Sequence, residues 1–274
     1  MTWHLDAVSP AILGPALVAG LLVLATHVPL GSQVLARGIV FIDLAIAQIA
    51  GLGVITADAL GWAEVDPGAA GASWAAALAV QAAAVVAALL GAALLAWTEK
   101  RAGEQQEALI GVLFILAACT GLLLLAGNPH GGEHLKDLLV GQILWVQTPQ
   151  LVVLAVVSAL LLVAMQRGWT RAGIGFYGVF AVAVTASVQL VGVYLVFSSL
   201  IIPALATRRL TGRRRLLVAY GVGAAGYALG LLLSALLDLP SGAVIVWTLA
   251  GCAGVAAWLG RRPAPQDPAP TPTH

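Results

Sequence analysis

Residues 188–210 read VQLVGVYLVFSSLIIPALATRRL, and this stretch decides what kind of chain it belongs to. It is an apolar run of membrane-spanning character, interrupted at its start by Gln189 and Gly192. Ser198, Ser199 and Pro203 lie inside it, and Arg208 and Arg209 stop it. Proline removes a backbone donor and bends a helix, and in lipid the carbonyl it frees is tolerated only where protein or water satisfies it. The segment around Pro203 is therefore expected inside the protein, with its arginine end in the cytoplasm.

Composition extends that reading to the whole chain. Hydrophobic residues make up 61% and charged residues 9%, where a soluble domain carries roughly a quarter charged. This is the composition of an integral membrane protein. At ~20 residues per spanning helix, 274 residues hold about eight crossings with short loops and no separate soluble domain. Residues 1–262 are expected to form a single transmembrane domain, and the proline-rich stretch 263–274 a disordered cytoplasmic tail. A net charge of +1 favours no nucleic acid. Cys119 and Cys252 each sit in an apolar run and read as packing residues. The first ten residues, MTWHLDAVSP, lack the basic n-region of a cleavable signal, so the first apolar run is expected to stay as a helix.

The apolar runs fall at 10–30, 38–57, 72–97, 108–127, 149–166, 174–191, 193–207, 216–237 and 242–260. A spanning segment must satisfy its own backbone, and none of these runs shows the alternating polar positions of a membrane barrel. The expectation is an all-α, polytopic integral membrane protein with eight to nine transmembrane or half-spanning helices. Placing Arg37 inside puts Lys100, Arg101, Arg167, Arg171, Arg208, Arg209, Arg213 to Arg215, Arg261 and Arg262 inside too, and leaves only Lys136 outside. That split requires the chain to go out and back between Arg171 and Arg208. The interruption at Gln189–Gly192 is where it can turn, so 174–191 and 193–207 are expected as two short crossings.

Candidate chemistry is sparse. Asp43 is the only acidic residue inside an expected span, and a carboxylate in lipid costs at least ~2.5 kcal/mol on insertion scales. It must face a cavity or a partner, where it could coordinate a cation; otherwise it is a protonated or capping residue that fixes packing. Gln48 lies five residues on, well round an unbroken helix from Asp43. With Gln189, Ser198, Ser199 and Pro203 it suits the lining of a polar path, although interhelical hydrogen bonding is the commoner use of such residues. His130, Glu133 and His134 in an outer loop have ligand chemistry for a divalent metal, and are equally what a solvated loop contains. Ala219, Gly223, Gly226 and Gly230 make a small-residue face, either a seam with another copy or a contact within the chain. No phosphate loop for ATP and no hydrolase or protease motif is present. The chain is thus expected to be neither an ATPase nor any other enzyme.

Several stretches are together similar to the zinc/manganese-type ABC transporter permeases. In chain order they are Pro29-Leu-Gly-Ser32, Gly38–Gly53, Trp97-Thr-Glu-Lys-Arg101, Glu107-Ala-Leu-Ile-Gly111, Leu138–Val146, Gln189–Leu210 and Leu237-Asp-Leu-Pro-Ser-Gly242. Their collinear order through most of the chain carries the resemblance. It implies a multi-pass permease of a bacterial inner membrane that works by alternating access. Two permease copies would join two ABC ATPase subunits and an extracytoplasmic metal-binding protein, surrounded by membrane lipid. The divalent metal, zinc or manganese with iron as a third candidate, would be cargo, and no cofactor would be bound by the chain. In that family an aspartate and a histidine four residues apart in the second helix are associated with the metal path. Asp43 is the nearest match to the aspartate, and aligning from Gly53 places Gln48 at the histidine. Only Gln166–Gly173 stands where the family carries a longer segment that docks on the ATPase, so Arg167, Trp169 and Arg171 are the candidate contact. That short linker and the broken element suggest another reading, a gradient-driven transporter or channel; a third is a non-transporting scaffold derived from a permease.

Overall fold

The computed structural model describes residues 10–62, 72–102, 105–125, 139, 141–171 and 173–259. Nine α-helices and no strands lie among them: α1 Pro10–Arg37, α2 Ile42–Ala59, α3 Ala72–Ala102, α4 Gln106–Leu125, α5 Thr148–Gln166, α6 Gly173–Val191, α7 Val193–Ala206, α8 Gly212–Leu237 and α9 Ser241–Leu259. Single 3-10 turns at Ile143–Trp145 and Trp169–Arg171 precede α5 and α6. The expected tail at 263–274 and the outer loop with His130, Glu133 and His134 lie outside the described residues.

Eight of these helices are long and apolar enough to cross a membrane. The ninth, α7, has 14 residues, about 21 Å of helix against a hydrocarbon core of ~30 Å. Of the two short crossings expected, then, only α7 is short; α6 runs for 19 residues. They meet at Gly192, whose φ of 80° and ψ of 161° let the chain reverse.

Burial separates centre from rim. In α6 61% of the spanning window is buried, against 17% in α5 and in α9, which turn most of their apolar side chains outward. Helix α2 packs on α3, α4 and α6, while α1 packs on α5, α7 and α8, and α9 closes over α7 and α8. At the arginine-bearing end, Arg37 ties three of these elements together. Its guanidinium reaches Glu99 Oε1 of α3 at 3.4 Å, donates to the Thr170 carbonyl at 3.0 Å, and lies 4.2 Å over the Phe176 ring of α6. The end of α1, the end of α3 and the Trp169–Arg171 turn, which the charge pattern put on one side, thus do gather at one end.

Two close approaches explain how α1 holds the centre. The sequence reading ended the first span near residue 30; the helix instead continues through Pro29 to Arg37. Pro29 cannot donate to the Ala25 carbonyl, and the Tyr220 hydroxyl of α8 donates to that carbonyl at 3.0 Å. A neighbouring helix thus makes the proline tolerable in a span. Two residues further on, Gly31 presses on α7, where a Cβ would overlap the Leu200 carbonyl. Replacing Gly31 with Leu is expected to force α1 from α7 and destabilise the fold by about 1–3 kcal/mol or more. A lowered unfolding midpoint in detergent checks this, and an unchanged one would mean that the two helices are not in contact.

The small-residue face of α8 is used within the chain. Gly223 receives Leu24 of α1, while Gly226 and Gly230 receive Leu249 and Ile245 of α9. The Thr248 hydroxyl donates to the Gly226 carbonyl at 2.7 Å across the same contact.

Candidate translocation path

Asp43 is the only carboxylate buried among the described residues. Its depth differs from the sequence expectation. Gly38 takes φ +70° and residues 38–41 form a turn, so α2 begins at Ile42 and Asp43 sits in its first turn, toward the Arg37 end. The free backbone N–H groups and positive dipole end of a helix favour an anion there. Even so, Asp43 Oδ1 has no hydrogen-bond partner, and the helix carries no side-chain capping bond. A second carboxylate meets the turn that leads into α2: Glu107, in the first turn of α4, accepts from the Phe41 backbone N–H at 3.3 Å through Oε1, and its Oε2 is buried without a partner.

Gln48 does not join Asp43. Helix α2 is unbroken from Ile42 to Ala59, so five residues turn Gln48 roughly 140° around the axis, and it is only half-buried. Gln189, near the far end of α6, is exposed and stands apart from both. Ser198, Ser199 and Pro203 are all buried in α7. The Ser199 hydroxyl donates to the Leu195 carbonyl at 2.7 Å and lies 2.8 Å from the hydroxyl of Tyr227 in α8. The expected path residues are therefore split among the Asp43 end of α2, the interior of α7 and the Gly192 turn.

That turn is braced from outside. Gly141, itself at φ +69°, lies so close to the Val191–Gly192 peptide that a Cβ would overlap it. At the opposite end, Arg167, Trp169 and Arg171 are exposed around the 3-10 turn that joins α5 to α6, while Thr170 between them is buried and held through its carbonyl by Arg37. The linker is short and fixed, and it presents an indole and two guanidinium groups outward.

One polar group was overlooked in the sequence. His27, in the middle of α1, is fully buried. Its Nδ1 lies 2.9 Å from the Val23 carbonyl and 3.1 Å from Thr26 Oγ1, and its Nε2 has no partner. Its signal in the sequence is a lone imidazole inside an expected span. No group of three or more His, Cys, Asp or Glu side chains converges among the described residues.

The same architecture occurs in solved structures. PsaBC from Streptococcus pneumoniae, determined in complex with Fab, superposes with a TM-score of 0.68 at 21% identity, over 89% of this chain and 90% of that one. A structure described as a metal-chelate type ABC transporter in an inward-facing conformation gives 0.64 at 16% identity, over 89% and 85%. At these identities the likeness is one of fold. No curated protein sequence matches significantly. The model of the ABC 3 transport family matches residues 9–171 and 168–259, nearly the whole described chain, and the protein therefore belongs to that family, as the multi-pass membrane permease of an ABC transporter whose ATP is hydrolysed by a separate subunit.

Proposed function

We propose that this permease imports a divalent transition metal, zinc or manganese with iron as a third candidate, across a bacterial inner membrane by alternating access. The observation that carries this reading is Asp43, a carboxylate buried at the Arg37 end of α2 with an oxygen that no protein group satisfies. An ionisable residue buried in a membrane protein is by default a candidate for an ion path. The likeness in fold to a structure described as a metal-chelate type transporter agrees with metal cargo. An extracytoplasmic binding protein would deliver the ion at the Gly192 end. From there it would pass along α7 by Ser198, Ser199 and Pro203 toward Asp43, while Gln48 and Gln189 are placed to line the path only at its margins. His130, Glu133 and His134 are proposed as a weak entry site. The metal is cargo and not a resident cofactor.

The ATPase subunit would dock on Trp169, Arg167 and Arg171. A rigid turn anchored to α1 through Arg37 and Thr170 can transmit force despite its length, so the short linker no longer favours a gradient-driven transporter. Two permease copies would assemble through one of the exposed apolar faces, for which the groove between α8 and α9, lined by Leu229, Trp247 and Val255, is our candidate, and lipid would cover the rest of the rim. The test is reconstitution of the permease with its co-purifying ATPase and binding protein in liposomes. ATP-dependent entry of zinc or manganese is expected. Uptake that ignores ATP and follows a proton gradient would overturn the reading, as would the absence of divalent-metal uptake.

A further inference from the structure

Four α1 positions, Gly20, Leu24, His27 and Gly31, fall at spacings of four, three and four, which puts them on one face of the helix. The other three show what that face meets: Gly20 lies against the Tyr227 ring, Leu24 against Gly223, and Gly31 against the Leu200 carbonyl. His27 therefore lies in the seam between α1, α7 and α8. The ten residues from His27 to Arg37 measure about 15 Å of helix, half the ~30 Å hydrocarbon core, so this seam is at the middle of the membrane.

The polar hydrogens in the seam are committed. A carbonyl can only accept, so His27 Nδ1 carries its proton toward Val23 O at 2.9 Å, and the Thr26 hydroxyl donates to the same carbonyl at 3.2 Å. Ser199 gives its hydrogen to Leu195 O, so the Tyr227 hydroxyl donates to Ser199 Oγ, and Tyr220 donates to Ala25 O. What remains is lone pairs, foremost that of His27 Nε2, fully buried and unpartnered. An imidazole whose other nitrogen donates to a backbone carbonyl is oriented and made more basic for metal ligation. We infer that His27 Nε2 is a ligand for the cation at the midpoint of its passage. This rests on the proposal that the cargo is a divalent metal.

The experiment compares ATP-driven uptake by the reconstituted wild type, His27→Asn and His27→Cys. Asparagine can keep a bond to Val23 but is a poor ligand for zinc, whereas cysteine loses that bond and supplies a soft ligand. If His27 binds the ion, His27→Asn should lose about tenfold or more of the wild-type rate, at least the loss seen when partners of a metal ligand are removed, and His27→Cys should recover zinc uptake. Wild-type rates in His27→Asn, or a loss in both variants that follows lowered thermal stability, would overturn the inference. If wild type itself carries no divalent metal, the proposed function has failed instead. Should a variant not assemble, pulsed EPR with Mn2+ as probe decides, on a complex whose permease has [15N]histidine and Gln at His4, His130, His134 and His274. Coupling to one imidazole nitrogen is expected, and coordination by water alone would overturn the assignment.

Discussion

Gly192→Ala is expected to leave little correctly folded permease in the membrane. The backbone at Gly192 has φ 80° and ψ 161°, a region open essentially to glycine alone, where any side chain adds strain on the order of 1–3 kcal/mol. Relief by local movement is blocked, because Gly192 is buried and the backbone of Gly141 packs directly against the Val191–Gly192 peptide. Added to that is the cost of overpacking, about 1–3 kcal/mol, against a total stability of only 5–15 kcal/mol for a typical domain. The yield of monodisperse protein and its unfolding midpoint in detergent measure the effect, with Val191→Ala, a modest truncation beside it, as the control. A Gly192→Ala protein with wild-type yield and midpoint would mean that the α6–α7 reversal is not held by this conformation.

The same reversal shows what a sequence can disclose. Glycine amid apolar residues, together with a charge split that demands an out-and-back path, located the break to the stretch Gln189–Gly192. The extents on either side were legible too, each within one residue of the runs 174–191 and 193–207; what was not legible is that the turn opening α6 is held by Arg37 of α1. Helix α1 running past Pro29 was illegible for a related reason: the group that satisfies Ala25 O is Tyr220, 195 positions away. Asp43 was visible as an anomaly of composition, yet its depth depended on Gly38 taking a positive φ and delaying α2 by a turn. The regular α2 then separated Gln48 from it, where only a distorted helix would have joined them. Glu107 stood out only as part of the stretch that opens α4, where acids are ordinary; its neighbour Phe41 comes from another loop. The small residues of α8 could have faced another copy or the same chain, and only coordinates show Leu24 and Leu249 filling that face.

Asp43→Asn is expected to separate transport from stability. Asparagine keeps the shape of the side chain and removes its charge, so any cation that must be met by a carboxylate at the start of α2 loses it. Uptake by the reconstituted complex should fall by at least about a hundredfold, the upper end of the loss from removing mere partners of a metal ligand. Stability should move the other way. A carboxylate costs ~2.5 kcal/mol or more at the centre of a span and less at the end where Asp43 sits, but its Oδ1 is buried without a hydrogen bond. The favourable helix terminus offsets only part of this, typically 0.3–1 kcal/mol, so Asp43→Asn should insert as well as the wild type and unfold at an equal or higher temperature. An inactive and less stable variant would make Asp43 a packing residue, and full uptake would remove it from the path. A gain in stability with a loss of transport is the outcome that fits a carboxylate kept for its cargo, since residues that serve function are commonly held at a cost to the fold.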